Sequence, residues 1–74
     1  MVRHQNNKHL SIVTIGNKSL CFSYGVLVAM SKNGYYYKTK QYYSVTTSKH
    51  INMFLHGSNP IELDQEELEK LAEA

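Results

Sequence analysis

From Leu10 onward, apolar and polar positions fall into short runs separated by turn-forming residues. Ser11-Ile12-Val13-Thr14-Ile15 is rich in β-branched side chains, and Gly16-Asn17 supplies two residues that tolerate positive φ. Beyond it, Leu20, Phe22 and Tyr24 share one face of a second strand, so the pair reads as a hairpin. After Gly25, residues 26–30 (Val-Leu-Val-Ala-Met) are apolar on both faces, as a central strand requires. Asn33-Gly34 is the strongest hairpin signal in the chain and predicts positive φ at both positions, with a returning strand over 35–43.

In that returning strand a period of two separates Tyr35, Tyr37, Thr39 and Gln41 from Tyr36, Lys38, Lys40 and Tyr42. The second set, with its two lysines, is expected to face solvent and not the core. Ile51, Phe54 and Leu55 then recur at helical spacing, with Thr46 or Thr47 as N-cap and Gly57 placed to end a helix of two to three turns. Ser58-Asn59-Pro60 reads as a turn. Asp64 as N-cap, Glu67 at the third helical position and a Leu63–Leu68 staple predict a last helix over 64–73, with Leu68, Leu71 and Ala72 on one stripe. The expected architecture is α+β: a four-stranded antiparallel meander followed by two short helices, forming a single domain over 10–74. Residues 1–9 have almost no apolar content and read as a flexible basic lead-in.

Charge changes this picture. Residues 1–61 carry Arg3, Lys8, Lys18, Lys32, Lys38, Lys40 and Lys49 with no Asp or Glu, a formal +7. Residues 62–74 carry Glu62, Asp64, Glu66, Glu67, Glu69 and Glu73 against Lys70, so the net charge of +2 conceals a dipole. A body without carboxylates draws polyanions or acidic protein surfaces. The acidic helix is too short to be stable alone and must dock on the basic body or on a second copy of the chain, which makes a homodimer one of the expected arrangements. The 74 residues are near the lower limit for a self-supporting core. The single Cys21 excludes an internal disulfide and fits a reducing cytoplasm. No apolar run approaches the ~18 residues of a membrane span, so the chain is expected to be cytoplasmic and to engage no membrane.

Candidate chemistry is sparse. Cys21 and His4, His9, His50 and His56 are the only nucleophile or base candidates before Glu62, and no carboxylate precedes it to orient a histidine or hold a divalent ion. The expectation is no catalytic residue, no cofactor and no metal. Residues 35–43 (Tyr-Tyr-Tyr-Lys-Thr-Lys-Gln-Tyr-Tyr) stand apart. Aromatic faces stack on unpaired bases while lysines neutralise phosphates. Tyr36, Lys38, Lys40 and Tyr42 are therefore the candidate binding residues, with Lys49, Lys32 and Lys18 as outlying contacts. The alternative is that half of the tyrosines fill the core and Lys38 and Lys40 protect an edge strand from aggregation.

The phrases Phe22-Ser23-Tyr24-Gly25-Val26-Leu27-Val28-Ala29, Tyr37 and 43–52 (Tyr-Ser-Val-Thr-Thr-Ser-Lys-His-Ile-Asn) resemble a family of small uncharacterised proteins of phages and related mobile elements. The resemblance spans roughly residues 12–55 and transfers no catalytic residue; it implies a compact intracellular virus-associated domain. Together these readings give a non-enzymatic protein that binds single-stranded or structured nucleic acid. The alternative partner is an acidic host protein, with the chain acting as an inhibitor of a defence or transcription complex.

Overall fold

Two-residue turns set the sheet. In the computed structural model, which describes the backbone of residues 2–7 and the whole of residues 9–73, the elements run β1 (Val2–Asn7), β2 (Leu10–Ile15), β3 (Lys18–Ser23), β4 (Val26–Lys32), β5 (Tyr35–Thr39), α1 (Val45–Leu55), β6 (Ile61–Leu63) and α2 (Gln65–Glu73). Gly16 takes φ 61° between β2 and β3, and Asn33-Gly34 takes φ 53° and 85° between β4 and β5. Both values at Asn33-Gly34 match the tight turn expected from the sequence. The six strands lie in chain order in one sheet; β1 to β5 are antiparallel, while β6 runs parallel to β5 after the α1 crossover.

The expected α+β class and the meander of β2 to β5 are present, with one further strand at each edge. Residues 2–7, read from sequence as a lead-in, pair in register with β2 from Val2 opposite Ile15 to Asn7 opposite Leu10. A backbone ladder needs no apolar side chains, so polar composition does not prevent an edge strand. At the other edge β6 has three residues, too few to show periodicity, and is held by Tyr37–Ile61, Lys38–Glu62 and Thr39–Leu63 pairing.

The sheet is covered on both faces. Leu10, Cys21, Val28 and Ala29 pack against Ile51 and Leu55 of α1, with Ile12, Val26, Tyr36 and Phe54 around them. On the opposite face Leu27 and Met30 pack against Leu68 of α2, flanked by Leu20, Phe22, Tyr37, Leu63, Leu71 and Ala72. Strict alternation would send Val28 and Ala29 to opposite faces. A register shift between β3 and β4 beside Cys21 and Phe22 lets both join the α1 side, as a β-bulge does. Of the two docking surfaces open to the acidic helix, the structure uses the chain's own sheet.

Capping differs in one place from the sequence reading. Ser44, and not Thr46 or Thr47, caps α1: its backbone is extended (φ −166°) and its Oγ accepts the Thr47 N–H at 3.1 Å. Thr47 is itself buried and bonds Ser23 Oγ at 3.0 Å. His56 (φ 50°) and Gly57 (φ 79°) end the helix in the left-handed region. Asp64 directly precedes α2 and its carbonyl accepts from Leu68 N–H at 2.9 Å. Leu63 and Leu68 meet in one cluster, as the staple requires.

Two outcomes follow from this packing. Leu68 has no exposed surface, so Leu68→Ala should lower the unfolding free energy in a denaturant titration by about 2–5 kcal/mol, with a much smaller effect for Leu71→Ala. Cys21 is likewise fully enclosed, and burial pushes its thiol from 9.0 up to about 12. Because the thiolate is the nucleophile, a maleimide or disulfide reagent at neutral pH should label Cys21 only at the rate of global unfolding.

Candidate functional site

The tyrosine-lysine segment does not remain a strand. The Lys40 N–H still donates to the Leu63 carbonyl of β6 at 2.8 Å, and from Lys40 onward the chain bends away, with Thr39 Oγ1 accepting the Gln41 N–H at 3.1 Å. Strand pairing has ended here, so the period of two that grouped Tyr36, Lys38, Lys40 and Tyr42 applies only to the first two. Tyr36 is also not solvent-facing as expected. It is half-buried on the α1 side, with its ring edge-on to Phe54 at a centroid distance of 6.3 Å. A phenol ring covers apolar surface while its hydroxyl stays at the rim, and polarity alone did not distinguish this role from exposure.

What the bend creates is a cleft. Lys38, Thr39, Lys40, Gln41 and Tyr42 on one side, and Ser48, Ile51 and Asn52 of α1 on the other, line a volume of about 150 Å³. Two cations, two amides, two hydroxyls and an exposed phenol thus surround a floor that includes Ile51. Tyr42 is 69% exposed, the highest value among the large apolar and aromatic side chains described. The neighbouring Tyr43 belongs to a different environment: partial burial, and then the Glu69 carboxylate, raise its phenol above the ordinary 10.0.

The lysines of the cleft are not isolated cations. Lys38 Nζ lies 3.8 Å from Glu62 and Lys40 Nζ lies 3.9 Å from Asp64, both with substantial solvent exposure. Pairs of this kind contribute about 0–1 kcal/mol, so they temper the local field without locking the side chains. Lys49 is exposed on α1. Lys18 and Lys32 do not join this group. They stand opposite each other on β3 and β4 and share the α2 face with Leu20 and Met30. Lys18 Nζ donates to the Ala72 carbonyl at 2.7 Å, placing a cation at the C-terminal end of α2, where the helix dipole favours it.

A second polar assembly, not singled out by sequence reasoning, lies on the other flank of α1. Ser23 Oγ is 2.8 Å from His50 Nδ1 and 3.0 Å from Thr47 Oγ1. Tyr24 continues from Ser23 and stacks on His9 at 4.4 Å, with His50 at 6.2 Å. The Ser23–His50 pair has the separation of a nucleophile and base, but Ser23 is 2% exposed, so a substrate carbonyl has no approach to its oxygen. The available signal was the spacing of Thr47 and His50 on one helix flank, which no one-dimensional pattern connects to Ser23.

Among the described residues, no three His, Cys, Asp or Glu side chains converge where a metal could sit, and no helix is long and apolar enough to cross a membrane. No curated protein and no solved structure matches the chain. A family model does match, over residues 2–70, and on that extent the chain belongs to DUF8033, a family of unknown function.

Proposed function

We propose that this protein is a non-enzymatic nucleic-acid-binding protein of phage or mobile-element origin, acting inside the host cell on single-stranded or structured nucleic acid. The observation that carries this reading is the cleft, where Lys38, Lys40, Gln41 and Tyr42 meet Ser48 and Asn52. Each side chain has a complementary part on a nucleotide. The ammonium groups neutralise phosphates, Tyr42 offers a ring for stacking, and the Gln41 and Asn52 amides can both donate to and accept from a base edge. Lys49 extends the positive surface along α1. Tyr36 supports the cleft's strand from within, while Lys18 and Lys32 serve the α2 face and are left out of the site.

Glu62 and Asp64 occupy positions a phosphate would take beside Lys38 and Lys40. A polyanion must displace them, which weakens binding and makes it strongly dependent on salt. In a fluorescence-anisotropy titration with a labelled single strand, Lys38→Ala with Lys40→Ala should weaken binding and flatten the log-log salt slope by roughly 0.7 for each phosphate no longer neutralised. Glu62→Gln with Asp64→Asn should tighten it at low salt. Salt-independent affinity in the unmodified protein, or no binding to single-stranded DNA or RNA, contradicts the reading.

A second reading rests on α1. Val45 is 63% exposed and Met53 57% exposed, eight residues apart on the same side of the helix with exposed Lys49 midway between them. Apolar side chains around a cation suit an acidic protein surface, and the chain would then act as an inhibitor of a host factor. Capture of one host protein that survives nuclease treatment and is abolished by Met53→Glu favours this second partner.

A further inference from the structure

Tyr24 breaks a local rule that the same chain obeys elsewhere. A two-residue turn with positive φ at both central positions favours Asn, Asp or Gly at the first of them. Asn33-Gly34 conforms; Tyr24-Gly25, with φ 53° and 81°, does not. A bulky residue in the left-handed region is strained and persists only where its surroundings hold it.

Those surroundings are well defined. Tyr24 N–H donates to the His9 carbonyl at 2.8 Å, and the two rings stack at 4.4 Å with an interplanar angle of 20°. His50 lies against the same phenol at 6.2 Å and is oriented from beneath by Ser23, which Thr47 anchors in turn. The rings are thus fixed, yet Tyr24 is 52% exposed and His9 is exposed as well. Strain accepted for core packing would have put the ring inside.

We propose that Tyr24, flanked by His9 and His50, is a stacking station for one unpaired base, a second contact point on the strand held in the Lys38–Lys40 cleft. This inference rests on the nucleic-acid reading above. Ser48 and Asn52 face the cleft on one flank of α1, whereas Thr47 and His50 reach Ser23 on the other, and exposed Lys49 lies on the helix surface between the two flanks. A strand crossing α1 from cleft to rings would pass this lysine, whose charge suits the intervening phosphates. Rings already held in place lose little freedom on stacking, and every base has a π face, so the station tolerates any sequence.

The test uses the full chain and a single-stranded oligodeoxyadenylate of roughly 12 nucleotides. Tyr24→Asn installs the residue the turn favours, so its melting temperature should not fall, while affinity drops roughly tenfold and Tyr24→Phe binds as the unmodified protein does. Independently of any substitution, saturating oligonucleotide should shift the ring-proton resonances of His9, Tyr24 and His50 upfield through the base's ring current. Affinity of Tyr24→Asn within about twofold of Tyr24→Phe overturns the station and leaves the cleft reading intact. If Tyr24→Asn fails to fold, unmoved ring resonances at saturation overturn it instead. Absence of binding to the unmodified protein removes both.

Discussion

The central strand β4 needs cover on both faces, and the rest of the molecule is arranged to provide it. Leu27, Val28, Ala29 and Met30 are all buried, two facing α1 and two facing α2. Neither helix alone leaves a stable sheet, because the opposite half of β4 and its neighbours Leu20, Phe22 and Tyr37 would be open to water. At about 25 cal/mol per Å² of apolar surface, either face represents a large share of a small domain's stability.

This constraint assigns the acidic C-terminal segment a structural role that its charge alone does not suggest. The six carboxylates within residues 62–74 belong to the strand and helix that close the second face and, in Asp64, to the junction between them. Leu63, Leu68 and Leu71 turn inward, and the charges are left at the surface. β6 adds parallel to β5, so Glu62 and Asp64 arrive beside Lys38 and Lys40, at the edge of the cleft. The docking that stabilises the fold therefore also weakens the field at the candidate site. Lys18 shows the same coupling in reverse, since one of the body's cations is used to hold the end of α2.

Much of this fold was legible in the sequence where local chemistry is decisive. Asn33-Gly34 marked a turn, residues 26–30 a strand buried on both faces, and Leu63 with Asp64 and Leu68 a helix start. Edge elements were not legible: β1 is polar and β6 is short, and both are held by backbone pairing that any side chain permits. The site was only partly legible. Lys38, Lys40 and Tyr42 do come together, but through a bend after Thr39 and not through strand alternation. Tyr36 was placed on the wrong side of the balance between packing and exposure because a tyrosine satisfies both. The Ser23–Thr47–His50 network and the Tyr24 stack depend on contacts more than twenty residues apart or on a strained turn, and neither has a periodic signature.

The central claim is that the acidic helix is the third layer of the fold and not a charged tail. Native-state hydrogen exchange across a denaturant series tests it most directly. If both faces of β4 must be covered, the amides of residues 68–71 in α2 exchange only through the same global opening as those of residues 28–30 in β4, with the same free energy and denaturant dependence. Exchange of the α2 amides through a separate, lower-energy opening that leaves β4 protected would contradict the account.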